Sequence, residues 1–123
     1  MQEESRLWLK QAEEDLNTAE AIMKSSKFYA SVFFAQQAAE KALKAVYIKK
    51  FNDLAKVHDL VFLGRKVGLS PEILEGCVYL NRAYIESRYP GDLKTPSEKF
   101  SKSEASKGID IAKEVLVWVK KIL

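Results

Sequence analysis

The amino-acid sequence predicts an all-α protein, an up-and-down antiparallel bundle of four main helices and one short helix. Three observations lead to this fold class. Apolar residues recur at alternating steps of three and four in five separate segments. The first glycine is Gly64 and the first proline is Pro71, so no helix breaker interrupts the first half of the chain. No segment alternates with the period of a strand. With 123 residues, the chain is expected to form one domain over residues 1–123.

Two long helices account for the first half of the chain. The first is predicted from about Glu4 to Lys24, with Ser5 as a candidate cap, because apolar residues at three-four spacing form one stripe: Leu9, Ala12, Leu16, Ala19 and Met23. The pair Ser25-Ser26 leaves room only for an antiparallel return. The second helix is predicted from Lys27 to about Phe51.

The second helix is predicted to be the centre of the bundle. One apolar stripe comprises Phe28, Val32, Ala35, Ala39, Ala42 and Val46, and a second beside it comprises Phe34, Ala38, Ala45 and Ile48. A helix that is apolar over so wide an arc is surrounded by other helices. Its aromatic residues exceed what one small bundle readily covers, which predicts a homodimer: Phe28, Tyr29, Phe33 and Phe34.

Capping signals divide the second half of the chain. A short helix is predicted from His58 or Asp59 to Lys66, with Gly68 as its C-terminal cap. Ser70 and Pro71 predict the start of a fourth helix, which is expected to end before Pro90. Its inward stripe comprises Ile73, Cys77, Leu80 and Tyr84. Residues 90–96 are predicted to form the one extended irregular loop. A last helix is expected from Ser101 or Ser103 to the final residue.

The composition excludes several classes of protein. No run of residues is long and apolar enough for a membrane span, and the acidic N-terminal segment does not have the pattern of a secretory signal. The single cysteine, Cys77, cannot form an internal disulfide, so a reduced, cytoplasmic setting is expected. The net charge is +3 and is uneven, with a basic segment over residues 41–70. That segment is either a solvated helix end or a phosphate-attracting patch.

Two stretches of the sequence form a recognisable pattern: AQQAAEKALKA at residues 35–45, after an amphipathic helix, and Ser-Arg-Tyr-Pro at residues 87–90. Together they resemble the HEPN family. The resemblance extends from about Leu7 to the C-terminus. It implies a small prokaryotic helical bundle of a kind often encoded beside a minimal nucleotidyltransferase, and hence a non-catalytic nucleotide-binding or interaction module with a nucleotidyltransferase partner, in a toxin–antitoxin pair. The alternatives are a degenerate HEPN ribonuclease or RNA-binding protein, and a purely structural dimer scaffold.

One departure from the family argues against catalysis. HEPN ribonucleases carry an arginine followed by a histidine after four to six intervening residues, and none of Arg65, Arg82 and Arg88 has a histidine in that window. The one histidine, His58, lies upstream of all three. It is either a ligand or catalytic residue or, as we favour because Asp59 beside it has the chemistry of a helix-start residue, an N-terminal feature of the third helix. In the favoured interpretation its ring closes the turn from the second helix and hydrogen-bonds locally. Cys77 is interpreted as a core thiol, and no cofactor or metal is predicted.

The end of the fourth helix holds the candidate ligand-binding residues: Asn81, Arg82, Arg88 and Tyr89. A guanidinium offers two parallel donors to a phosphate, and an aromatic ring can stack on a base. The ligand would be a nucleotide or RNA. The structural alternative is that Arg88 complements the negative helix end and that Tyr89-Pro90 closes the helix.

Overall fold

The structure, a computed structural model, describes residues 2–123 and contains no strand among them. The helices in chain order are α1 (Gln2–Met23), α2 (Phe28–Phe51), α3 (Leu60–Val67), α4 (Pro71–Asn81), α5 (Ala83–Glu86), α6 (Pro96–Lys99) and α7 (Lys102–Ile122). The predicted all-α bundle is confirmed. Within the described residues no helix is both long and apolar enough to cross a bilayer.

The two long helices α1 and α2 pack along each other as an antiparallel hairpin. Ser26 makes the turn with a positive φ of 60°. Small side chains let the two backbones approach closely, and the hydroxyl of Ser31 donates to the main-chain oxygen of Ala19 at 2.6 Å. Farther along, the ammonium of Lys41 lies 2.6 Å from the carboxylate of Asp15. The predicted start of α1 was wrong: Ser5 lies inside the helix, buried, and does not cap it.

Helix α2 is the centre of the bundle, in contact with α1, α3 and α7. Five of its six alanines are fully buried: Ala35, Ala38, Ala39, Ala42 and Ala45. The aromatic residues near its start are largely buried, since Phe28, Tyr29 and Phe34 pack against the core and the ring centroids of Phe33 and Phe34 lie 5.3 Å apart in an edge-on arrangement. The surplus of exposed aromatic surface from which the dimer was predicted is therefore not found at these four residues.

Caps define the ends of the short helices as predicted for α3 and in part for α4. The carboxylate of Asp59 accepts from the main-chain N–H groups of the first turn of α3, and Gly68 ends that helix with φ of 81°. Pro71 opens α4, but the side chain of Ser70 makes no capping hydrogen bond. The αL residue Asn52 ends α2, where its N–H donates to the oxygen of Ile48.

The predicted fourth helix is divided, and the loop after it is more ordered than expected. Helix α4 ends at Asn81 and the one-turn α5 follows. Side chains bond to main-chain oxygens of α5 where the helix ends: Ser87 donates to the oxygen of Ala83, which also accepts the N–H of Ser87, and Arg88 Nε donates to that of Tyr84 at 2.7 Å.

The segment predicted as an irregular loop contains a tight turn and a further helix. Gly91 and Lys94 exchange main-chain hydrogen bonds around the turn. Thr95 and Glu98 then form a capping box that starts α6, which the sequence analysis missed. A second capping box, Ser101 with Glu104, starts α7, so Ser101 rather than Ser103 is the cap.

Candidate functional site

A buried carboxylate on α2 organises the most polar part of the interior. Glu40 is only 4% exposed. Its oxygens accept hydrogen bonds from three side chains, Gln36 Nε2 at 3.1 Å, Lys44 Nζ at 3.1 Å and His58 Nδ1 at 3.0 Å. Gln36 and Lys44 lie one turn before and after it on the same helix. A buried charge is tolerated when it is paired and hydrogen-bonded, and Glu40 meets both conditions.

His58 connects this carboxylate to the surface. It precedes the Asp59 cap of α3, and its ring stacks on that of Tyr84, with centroids 4.3 Å apart and planes inclined by 16°. Its side chain is 52% exposed. The ring of His58 does join the start of α3 to α2, but the predicted local hydrogen bond was wrong, because the partner is Glu40, 18 residues away; Asp59 is the helix-start residue, as expected from its chemistry.

Arg88 completes a column of three planar groups, here called the His58–Tyr84–Arg88 stack. Its guanidinium carbon lies 4.1 Å from the centroid of the Tyr84 ring and 5.1 Å from that of Tyr89. Its Nε is bonded to a main-chain oxygen. Among residues 2–123, no carboxylate lies within 4.0 Å of the guanidinium. The terminal N–H groups of Arg88 are therefore not neutralised by an acid of the described chain.

Arg82 has different surroundings. It also lies over two rings, those of Tyr79 and Phe100, each 5.3 Å from the guanidinium carbon. Two carboxylates neutralise it, Glu86 at 3.1 Å and Glu104 at 3.1 Å. Burial and the nearby Glu104 raise the pKa of Tyr79 above its ordinary value, against the opposing charge of Arg82. This cluster ties the α4–α5 segment to the start of α7.

The other two candidate residues have distinct positions. Asn81 braces the start of α3, since its Oδ1 accepts from the N–H of Leu60 at 2.9 Å and its Nδ2 donates to Asp59 at 2.9 Å. Tyr89 is 53% exposed, and its main-chain oxygen accepts from Lys99. The structure thus groups Arg88 and Tyr89 with His58, while Asn81 and Arg82 lie in separate hydrogen-bonded clusters. Ligand contact by Arg88 and Tyr89 stays a prediction, whereas the polar groups of Asn81 and Arg82 are already paired within the chain, so the site proposed below does not include them.

Sequence reasoning missed Glu40, Lys44 and Tyr84 as members of this site. A usable signal was present. Gln36, Glu40 and Lys44 recur at steps of four beside the apolar stripes of the second helix, which places three polar groups on one side of that helix. Tyr84 was assigned only to the apolar stripe of its helix, because its pairing with His58 joins segments far apart in the chain.

The remaining reactive groups have structural surroundings. Burial raises the pKa of the Cys77 thiol to about 12, so it stays protonated at neutral pH and behaves as a core residue. In the basic segment, Lys41 and Lys44 pair with acids, while Lys49 and Lys50 donate to main-chain oxygens at the ends of α7 and α3. These contacts favour the helix-end interpretation of that segment.

The arrangement of helices and the two sequence stretches agree with a known family. The model of the HEPN domain matches residues 5–122. This chain belongs to the HEPN family. A relative from Methanocaldococcus jannaschii, called "Putative toxin MJ1304", is 30% identical and aligns with 97% of this chain and 88% of its own length.

Solved structures of HEPN proteins and their relatives have the same fold. The crystal structure of TT1696 from Thermus thermophilus superposes with a TM-score of 0.91 at 28% identity, covering 97% of this chain and 98% of that one. ST0689, an archaeal HEPN homologue, gives a TM-score of 0.78 at 30% identity, with 95% of each chain covered. An HEPN domain protein of Thermotoga maritima, TM0613, has the same fold at 21% identity and a TM-score of 0.74, covering 94% of this chain and 95% of that one.

Proposed function

We propose that this HEPN protein is a toxin-like module that binds the phosphate and base of a nucleotide or RNA at the His58–Tyr84–Arg88 stack. The observation that carries the proposal is the unneutralised Arg88, held over the rings of Tyr84 and Tyr89. A guanidinium fixed in this way presents its remaining donors to a phosphate, with little side-chain entropy left to lose. Half-exposed Tyr89 supplies a ring on which a base can stack.

The anchoring of the stack supports the same proposal. Tyr84 lies between two groups that are themselves held, His58 by Glu40 and Arg88 by the main-chain oxygen of Tyr84. A binding group whose rotamer is locked by hydrogen bonds behind it contributes more affinity than a mobile one. The toxin activity in the name of the M. jannaschii relative belongs to that protein. We extend it to this chain as part of the proposal, together with a nucleotidyltransferase partner that would act as antitoxin and a cytoplasmic location.

Calorimetric titration of ATP into the wild type and into Arg88→Ala tests the binding site. Loss of a charge-assisted phosphate contact should weaken binding about 10–100-fold, which corresponds to about 1.5–3 kcal/mol. Arg65→Ala is the matched control, since it removes another exposed arginine from the end of α3. Thermal melts of all three proteins separate binding from stability. Equal ATP affinity with a lowered melting temperature in Arg88→Ala would make Arg88 structural, and an absence of ATP binding by the wild type would contradict the proposal.

A second candidate function, RNA cleavage, is favoured by the His58–Glu40 pair. Because Nδ1 faces the carboxylate, Nε2 is the ring nitrogen left to exchange a proton, and a carboxylate that holds a histidine ring is the usual arrangement around a general acid or base. The missing Arg-to-His spacing still leads us to expect no cleavage. Incubation of single-stranded labelled RNA with the wild type and with His58→Ala decides the question. If the wild type cleaved the RNA and His58→Ala did not, the function would be RNA cleavage rather than binding alone.

We also expect a homodimer, although not through the aromatic residues of α2. Large apolar side chains are exposed instead along α4 and α5, at Val78 and Ile85. They are seven residues apart and so lie on one face of nearly continuous helix, close to Arg88 in sequence. Analytical ultracentrifugation at tens of micromolar should give a dimer, and Ile85→Glu should shift it toward the monomer. A wild-type monomer at that concentration would exclude the dimer.

A further inference from the structure

We propose a second binding site, for a small carboxylate with an apolar body, at the end of the bundle where α1 begins and α2 and α7 finish. A cavity of about 260 Å³ lies there. Its lining residues are Ser5, Arg6, Leu9, Lys49, Lys120 and Leu123. Three of them carry positive charge, two are leucines and none has an acidic side chain. This site is separate from the His58–Tyr84–Arg88 stack and does not depend on nucleotide binding.

The first observation behind the proposal is an unsatisfied polar group. Ser5 is 2% exposed, and its hydroxyl has no hydrogen-bond partner among the described residues. A hydroxyl that is buried without a partner loses its hydration and gains nothing in return. Serine inside a helix is not needed for capping here, because α1 begins before it. Ser5 is among the residues that line the cavity, and rotation of its side chain toward the cavity would let the hydroxyl donate to a ligand oxygen placed there.

The second observation is the balance of charge around the cavity. Arg6 is exposed and pairs with no acid in the described part of the chain, and Lys49 donates only to the main-chain oxygen of Ile122. Lys120 has an acidic neighbour, Glu13, at 3.8 Å, and both side chains are about half exposed. Such a long, exposed pair contributes little. Three cations around one cavity attract an anion, and the unpaired Arg6 offers a two-pronged donor that suits a carboxylate.

The third observation is the apolar part of the lining, which favours a ligand with an apolar body. Leu9 and Leu123 contribute apolar surface, and the greater part of the cavity wall is apolar. At about 260 Å³, with one side open to solvent, the cavity has room for a ligand of about ten non-hydrogen atoms. A medium-chain carboxylate such as octanoate has this size and combines one anionic end with an apolar tail.

Calorimetric titration of octanoate into the full chain tests the site. We expect a dissociation constant of about a millimolar or tighter, as befits so small a ligand. The probes 1-octanol, which lacks the charge, and inorganic phosphate, which lacks the tail, should each bind at least about tenfold more weakly. If octanol bound as tightly as octanoate, apolar contact alone would explain the binding. If phosphate bound as tightly as octanoate, charge alone would explain it. Either result, or no heat from octanoate, would overturn the proposal.

Two variants locate the carboxylate. Arg6→Gln should weaken octanoate binding about tenfold, whereas Lys10→Gln, which removes a charge one turn farther along α1 and outside the cavity, should leave it unchanged. Ser5→Ala should weaken binding about tenfold or more without lowering the melting temperature of the free protein, because it deletes an unsatisfied hydroxyl. Equal effects of the Arg6 and Lys10 variants, or a Ser5→Ala protein that is less stable yet binds octanoate normally, would contradict the proposed site.

Discussion

The arginine clusters at the two ends of α5 have similar aromatic surroundings but differ in their acidic partners. Arg82 and Arg88 each lie over two aromatic rings. Arg82 also has two carboxylate partners on α5 and α7, whereas no acid of the described chain neutralises Arg88. Aromatic stacking positions a guanidinium in both cases. Whether acids lie beside it determines whether its N–H donors are already bound or remain available. A neutralised arginine joins helices, and an unneutralised one is left to bind an anion.

The largest expected effect concerns the support beneath the Arg88 cluster. Glu40→Ala would leave the ammonium of Lys44, which is almost fully buried, without its partner, and would release the ring of His58 from below Tyr84. Removing one member of a buried ion pair typically costs about 3–5 kcal/mol. Urea unfolding should therefore show a loss of this size in the free energy of unfolding. Glu14→Ala, which removes a glutamate from α1 that makes no ion pair in the described chain, is the matched control and should change little.

If Glu40→Ala cost less than about 1 kcal/mol, the polar group beneath the stack would be readily replaced by water, and the Arg88 cluster would not be anchored as we describe. In Glu40→Gln, by contrast, the shape and one acceptor remain, so we expect a smaller loss than in the alanine variant. The difference between the losses of unfolding free energy in Glu40→Ala and Glu40→Gln separates the contribution of side-chain shape from that of the negative charge.

Arg82→Ala should affect stability rather than binding. The variant removes two ion pairs and two ring contacts that join α4–α5 to α7, but these side chains are about a third or more exposed and water screens their charges. The expected loss is about 1 kcal/mol in urea unfolding, with ATP affinity unchanged. An ATP affinity that fell as much as in Arg88→Ala would remove the distinction between the two clusters.

A double variant can convert one cluster into the other. Glu86→Gln with Glu104→Gln keeps the shape around Arg82 and the capping box of α7, where glutamine also serves, but removes both neutralising charges. Arg82 would then resemble Arg88, and the affinity for inorganic phosphate should rise about two- to fivefold, which is under about 1 kcal/mol. Asp110→Asn with Glu114→Gln, on the exposed face of α7, removes the same charge as a control. An equal rise in both double variants would show a general effect of net charge.

The smallest effect is a dependence of stability on pH. Burial alone would raise the pKa of Glu104, but hydrogen bonds from Ser101 and the charge of Arg82 outweigh it and lower the pKa below its ordinary 4.5. A carboxyl whose folded pKa is lowered stabilises the protein fully above its unfolded pKa and loses that contribution as the pH falls through the folded pKa. The wild type should thus exceed Glu104→Gln in stability near neutral pH. This difference should shrink below about pH 4.5 in urea unfolding, and a constant difference would contradict it.

Local chemistry explains why much of the fold was predictable. The apolar stripes of α1, α2 and α7, the cap at Asp59, Gly68 at the end of α3 and the turn at Ser25-Ser26 depend on residues a few positions apart. Two of the errors in helix boundaries also arose from local signals. Ser5 has the chemistry of a cap but lies within a helix, and Thr95 starts a helix too short to show any periodicity.

The sequence by itself determined the helices, the central position of α2 and the likeness to HEPN proteins, because periodicity, caps and motifs are properties of neighbouring residues. Only the tertiary structure decided which polar groups meet. Glu40 and His58 are 18 residues apart in the chain, and Arg82 and Glu104 are 22 apart. Which arginine is neutralised depends on how α4, α5 and α7 pack, since a charge is offset by the acid that lies beside it in space, whatever its distance along the chain.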